Sequence, residues 1–464
     1  MGITLDFTNC LAESIGATHG LTKPEIDTLV AKFPKHHENV DELRTTGQSA
    51  FFDLPYQDQT ALKALLKKHQ GKWEDLIVVA LGGAAAGIRG VLGALTHHAF
   101  PVLAGKARKG APRVHIIDNA DPALITDIAD VVDPKTTLVY SVSRSGSTTE
   151  VLAITLWLME LLKKKAGKTA LTNQLVVATD SEHGGLAEIA RQEKCAILPI
   201  PANLGGRYAA LGNPGLFVAG MCGIDITALL AGAADMDQRC RHGNAFKNPA
   251  YMHSLVHYLL TRKRRKTIHE TIAFSNRLFS VTEWYAHLCS VSLGKMLNRK
   301  GKAVHVGPAP MIALGSAALH GSMQLSAEGP FDKVITFITA RDHGATVTAP
   351  DSYAKVDSVA FVGGAECGAL LHHGFIAAEQ SITASGRPNC TIILDTIDPH
   401  HIGGLIYLLQ LSIVMSAELY GIDPFDQPGI EHNKHAVFAL LGRPGFEDLA
   451  KKLAEHKQQP RRTC

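Results

Sequence analysis

No two cysteines in this chain share a CxxC spacing. The eight lie scattered at Cys10, Cys195, Cys222, Cys240, Cys289, Cys367, Cys390 and Cys464. That excludes a disulfide framework and suits a reducing compartment, the cytoplasm, with mostly buried thiols. Long apolar runs are missing too: none approaches the roughly 18 uninterrupted residues of a membrane span. The start, MGITLDFTNC, has no basic region followed by an apolar one. Met1-Gly2 begins like a myristoylation signal, but Asp6 stands where that signal wants Ser or Thr. No membrane partner is expected. Net charge is scarce, at +3 over 464 residues, and gives no case for a nucleic-acid partner. The densest basic run, Thr261–Lys266, has no interleaved aromatic and reads as a solvated loop between domains. The 23 histidines include adjacent pairs at 97–98, 372–373 and 400–401, which offer neither HExxH spacing nor a cysteine partner. No metal site is expected from them. There is no GxSxG nucleophile element, and LGGAAAG at 81–87 does not match GxGxxG.

What is present is enough apolar sequence, 46%, to fill two ordinary cores. Residues 1 to about 70 read as helical and polar, with helices expected at Lys23–Lys32, Glu38–Thr46 and Gln57–Lys68, and 1–44 is set apart as an N-terminal segment. Near-continuous apolar strands follow at Leu76–Leu81, Val114–Ile117, Leu138–Val142, Leu175–Thr179 and Ala196–Ile200, separated by helical patterns. Strands of that kind alternating with helices predict a parallel sheet covered on both faces. After helices at Ile226–His242 and Pro249–Thr261 the pattern restarts. Strands are expected at Thr267–Phe274, Val304–Val306, Lys333–Ile338, Val359–Val362 and Thr391–Leu394, and helices at Phe279–Met296, Glu366–Ser385 and His401–Tyr420. The reading is two α/β domains, 45–245 and 265–445, between the N-terminal segment and a polar tail, 446–464.

Four stretches carry chemistry. In Thr137–Glu150 a strand breaks into Ser143-Arg144-Ser145-Gly146-Ser147-Thr148 and a helix begins at once. Free N–H groups and the positive end of a helix dipole favour an anion there, a small phosphorylated molecule above all, though a well-capped turn has the same pattern. In Gly205–Gly212, GGRYAALG, Arg207 either braces the loop or meets an anion. His320 follows a small-residue run after Gly315, and Gln427 and Lys434 flank a Pro-Gly turn. A His and a Lys on separate loops suit general acid–base work.

In this order these stretches resemble the phosphoglucose isomerase family, from about Gly2 to Lys452. SRSGSTTE is similar to its phosphate loop, GGRYAALG to its Gly-Gly-Arg loop and WYAHLCSVSLGK to its second-domain helix; GSAALHGSMQL and DQPGIEHNK are similar to its histidine and lysine elements. The resemblance implies two αβα sugar-isomerase (SIS-type) domains with parallel-rich sheets and helical N- and C-terminal extensions. It implies a homodimer, no metal or organic cofactor, and interconversion of glucose 6-phosphate and fructose 6-phosphate. His320, from the neighbouring subunit, and Lys434 match the ring-opening pair. Arg207 matches the group that stabilises the enediolate. Ser143, Arg144, Ser145, Ser147 and Thr148 match the phosphate cradle, and Gly83, Gly206 and Gln427 match substrate-contacting positions.

The departures gather at ligand positions. The family's helix reads Gln-Leu-x-x-Glu-Ser-x-Gly-Lys; here Val291 replaces the catalytic Glu and His287 the Gln. Ala84 replaces a Ser, Arg144 a Lys, and Ala318-Leu319 an Asp-Gln. His287 lies four residues before Val291, on the same helix face, and its ordinary pKa of about 6.5 makes it a candidate substitute base. Three expectations stand: an isomerase impaired or altered by Val291, a non-catalytic sugar-phosphate binder or regulator, and an isomerase of another phosphosugar.

Overall fold

A computed structural model describes residues 2–457. It opens on a short strand, β1 (Ile3–Asp6), where only helix was expected. A first sheet is built from β2 (Asp75–Ala80), β3 (Arg113–Ile117), β4 (Thr137–Val142), β5 (Leu175–Thr179) and β6 (Ala196–Pro199). All its neighbours are parallel, in the order β3-β2-β4-β5-β6. Its inner strands β2, β4 and β5 are buried at every residue, as apolar runs covered on both faces must be. From β2 the chain moves outward to β3, then returns to β4 on the other side of β2. Loops after β2 and β4 therefore leave in opposite directions and open a crevice at the carboxyl ends of those strands.

The second sheet joins β7 (Ile268–Ala273), β10 (Ala309–Leu314), β11 (Lys333–Asp342) and β12 (Asn389–Thr396) with β1, in the order β1-β12-β11-β7-β10. Only β1 runs antiparallel, closing the edge beside β12. A separate antiparallel pair, β8 (Lys295–Leu297) and β9 (Ala303–Val306), takes the segment expected as a strand of this sheet. The helix Pro399–Tyr420 is long and apolar enough to cross a membrane by composition, but 94% of its apolar window is buried inside the protein. It is a core helix, buried from Ile402 through Glu418.

Three expectations need correcting. Val359–Val362 is not a strand: Asp357–Ala360 forms a short helix with no buried residue, because four apolar residues in an exposed excursion have no sheet to join. Thr261–Lys266 is not a loop for most of its length. The helix Pro249–Arg264 runs through it, Arg264 pairs with Glu25, and Lys266 is buried with its Nζ donating to the Phe331 carbonyl at 2.6 Å. Basic residues in a last turn suit the negative end of the dipole. The tail begins with a helix, Glu447–Lys457, and its remainder from 458 lies outside the described residues.

Candidate active site

The crevice above β2 and β4 widens into a cavity of about 800 Å³. Three helices begin at its wall: Gly83–Leu95 after β2, Thr149–Ala166 after β4, and Pro428–Leu440 from the C-terminal region. Each brings unpaired N–H groups and a positive dipole end, so the cavity favours an anion before any charged side chain is counted.

The loop after β4 is tied by its own hydroxyls. Ser143 Oγ and Thr148 Oγ1 are 2.8 Å apart, and Ser147 Oγ donates to Ser145 Oγ at 3.0 Å. Gly146 turns the loop at φ 60°, a conformation that suits glycine. All four hydroxyl residues line the cavity. Arg144 also lines it, with Nη1 held by the Ala202 carbonyl. Across the cavity the two glycine loops are stacked. A Cβ on Gly83 would stand 2.5 Å from both the Cα and the N of Arg207, so only glycine lets these backbones meet.

The Arg207 side chain is almost wholly buried and densely bonded. Nε donates to Ser292 Oγ at 2.9 Å, Nη1 to Gln427 Oε1 at 3.0 Å, and Nη2 to the carbonyls of Pro424 at 2.7 Å and Asp426 at 3.1 Å. Of the guanidinium's five N–H groups, one on Nη1 is left for a ligand. The two readings of this arginine thus combine: it braces the loop and lines the cavity. Its main chain is fixed as well, since Trp284 Nε1 donates to the Arg207 carbonyl at 2.9 Å. Burial lowers the guanidinium pKa from its usual value without threatening its charge.

Gln427 carries the network onward. Its Nε2 donates to Glu431 Oε1 at 3.0 Å, and Lys434 Nζ donates to the same oxygen at 2.8 Å. Burial alone would raise the Glu431 carboxyl, but the bonds from Lys434 and Gln427 hold it below the usual carboxylate range. Glu431 is a cavity residue that sequence reasoning passed over, although it sits between Gln427 and Lys434 in DQPGIEHNK. Lys295 was also missed. It is buried beneath the floor, and its Nζ ties the carbonyls of Val291 and Ser292 to that of Asp426.

His287 lines the cavity, close to Gly82 at the start of the first glycine loop. Burial, and then the charge of Arg207, lower its pKa from 6.5, so at neutral pH the imidazole is uncharged and able to accept a proton. Val291, one turn later on the helix Asn276–Leu293, is half-buried and is not part of the wall. His320 is not brought in either. It caps the helix Gly315–Leu319 after β10 of the other sheet, exposed and apart from the cavity lining. Gly83, Gly206, Arg207, Gln427, Lys434 and the residues Ser143–Thr148 other than Gly146 do share the wall.

The family model of phosphoglucose isomerase matches residues 65–444. The chain belongs to the phosphoglucose isomerase family. A glucose-6-phosphate isomerase of Carboxydothermus hydrogenoformans is 34% identical over 464 residues, covering 99% of each chain. One from Rubrobacter xylanophilus is 35% identical over 372 residues, covering 80% of this chain and 83% of its own. A solved structure of a hypothetical protein from Thermus thermophilus aligns with a TM-score of 0.81 at 26% identity, covering 95% of this chain and all of that one. The fold is also that of a Chlamydia trachomatis glucose-6-phosphate isomerase, with a TM-score of 0.80 at 16% identity over 98% of this chain and 92% of that one. This phosphoglucose isomerase family member thus has the α/β fold class that the motifs implied, with parallel-rich sheets and many helices.

Proposed function

We propose that the cavity binds glucose 6-phosphate and fructose 6-phosphate, and that the chain interconverts them slowly. The observation carrying this reading is a complete anion cradle beside an incomplete proton-transfer set. The phosphate lies at the Ser143–Thr148 loop and the start of the Thr149–Ala166 helix. The sugar extends towards Arg207, Gln427 and His287 on the opposite wall.

Ring opening moves a proton between the ring oxygen and O1, with Lys434 and the His320 of a second copy as the pair. This reading requires a homodimer, since this chain's own His320 does not line the cavity. Isomerisation then needs a base that takes the C2 proton and returns it at C1. Arg207, with its remaining N–H, stabilises the enediolate between those steps. Val291 has no proton to exchange, so His287 performs the transfer. No organic cofactor or metal enters these steps, and the setting is the cytoplasm.

A second reading, a sugar-phosphate-binding regulator without turnover, is favoured by Val291 and by Ala318-Leu319 beside His320. A coupled assay in both directions, run beside ligand-induced thermal shifts, separates the two. Slow turnover abolished by His287→Ala supports the isomerase. A thermal shift with no turnover supports the binder. Neither response would reject this cavity as a sugar-phosphate site, and activity on another phosphosugar would reassign the substrate.

A further inference from the structure

On the far side of the helix Asn276–Leu293 from the cavity lies a buried cluster of histidine and cysteine. His253 and His257 sit four residues apart on one face of the helix Pro249–Arg264, and Cys390 reaches them from β12. One donor atom from each lies within 4.8 Å of the others, and all three residues are buried. His253 Nε2 is the decisive atom: it is sealed from solvent and has no hydrogen-bond partner. Such a nitrogen costs free energy unless something meets it.

The neighbouring groups are arranged as metal ligands usually are. His257 Nδ1 lies 2.9 Å from the His253 carbonyl, so this nitrogen carries the proton and Nε2 presents its lone pair. Thr336 Oγ1 donates to that Nε2 at 3.0 Å and lies 3.5 Å from Cys390 Sγ, so a metal ion would take the place of this hydrogen bond. The rings of His253 and His257 are stacked at 4.0 Å. A void of about 10 Å³, lined in part by His253, His257, Tyr285 and Cys289, adjoins the pair. Cys10 lies just outside this three-donor group; its buried Sγ donates to the carbonyl of Asn389, next to Cys390, at 3.2 Å, and would turn from that carbonyl to serve as a fourth donor.

We propose that His253 Nε2, His257 Nε2 and Cys390 Sγ bind one Zn²⁺ ion, with Cys10 completing a closed tetrahedral site. Binding forms two Zn–N bonds and two Zn–S bonds and releases the protons of both thiols to solvent. Bond lengths of about 2.0–2.3 Å place tetrahedral donors roughly 3.3–3.8 Å apart, so the three clustered donors close by about 1 Å and Cys10 moves further. Four-coordinate N₂S₂ sites of this kind are structural rather than catalytic. Zinc here would tie the helix Pro249–Arg264 to β12 and to the N-terminal segment. None of its ligands lines the candidate active site, so the proposal stands apart from the isomerase reading. HSLVH at 253–257 carries no local metal signature, because its cysteine partners lie far off in the chain.

The test uses the full-length protein, stripped with a chelator and then titrated with Co²⁺ and Zn²⁺. One equivalent of Co²⁺ should give a thiolate-to-cobalt charge-transfer band with tetrahedral ligand-field intensity, and Zn²⁺ should displace it. The band should vanish in Cys390→Ser and in His253→Gln, and Zn²⁺ should raise the melting temperature of the parent but not of either variant. If Cys390→Ser does not fold, His253→Gln, which leaves both cysteines in place, decides the question. A folded parent with no charge-transfer band, or a band that survives His253→Gln, would overturn the site and leave a packed, metal-free core.

Discussion

The proposed reaction turns on one side chain, Val291, at the position where the family's motif has a Glu. Val291 stands on the same helical face as His287, beside Ser292, which holds Arg207. Val291→Glu would restore a carboxylate one turn from His287. Removing a general base costs about 10²–10⁴ in rate, so adding one back should raise kcat by a comparable factor in the coupled assay. No rise would mean that Ala84, Ala318 and Leu319 also limit the reaction. The pH profile tests the proposed base, His287, independently. His287 acts only when uncharged, and burial and Arg207 lower its pKa from 6.5. Turnover should therefore hold from neutral pH down past 6.5 and fall only as pH drops through the lowered value. An acid limb at or above 6.5 would exclude His287 as the base. At this scale much of the site was legible, because motif order names residues on the wall: Ser143, Arg207, Gln427 and Lys434 all came from short stretches. What stayed hidden were partners set by tertiary distance. Nothing local says that Arg207 would be held by Ser292 and the Pro424 carbonyl, or that Glu431 would anchor Lys434.

Among the elements, the glycine loops after β2 and before Arg207 meet backbone to backbone. Gly83→Ala would drive a Cβ to 2.5 Å from the Arg207 backbone. One chain must move, at a cost of about 1–3 kcal/mol, and Arg207 moves with it. Urea melts should show a lower midpoint, and fructose 6-phosphate should give a weaker thermal shift. Gly429→Ala is the control: a Cβ there meets nothing within 4 Å, so stability should hold or rise. An unchanged midpoint for Gly83→Ala would mean that the two loops yield freely. The strands themselves were easy to read, since a parallel sheet covered on both faces requires continuous apolar runs. Edges were harder. β10, with Pro310 inside it and little of it buried, carries a weak signal because an edge strand tolerates both. β1 was hidden in a segment whose polar helices dominated the pattern.

For the molecule as a whole, the N-terminal segment is fastened to the core by a carboxylate near the end of the central helix. Glu418 accepts from Asn39 Nδ2 at 2.7 Å, lies 3.0 Å from His36 Nδ1, and pairs with Arg299 beyond β8. Three distant parts of the chain therefore meet on one charge. Burial alone would raise this carboxyl, but the bonds from His36, Asn39 and Arg299 outweigh it and hold the pKa at about 2. In the unfolded chain a glutamate titrates near 4.3. Above that value both states are ionised and the full stabilisation, about 3 kcal/mol, is present. As pH falls the unfolded state takes up its proton first, and the contribution declines through the window from about 4.5 to about 2. Other carboxylates held low by their partners, Asp237 and Asp75 among them, add to the same acid sensitivity. The difference between parent and Glu418→Gln isolates the one group. Denaturant melts should find the parent more stable by about 3 kcal/mol at pH 6.5, with the gap about 1 kcal/mol smaller at pH 3.5. A gap that does not narrow between those two values would show that Glu418 contributes through shape and hydrogen bonding alone, and that its charge does not fasten the N-terminal segment.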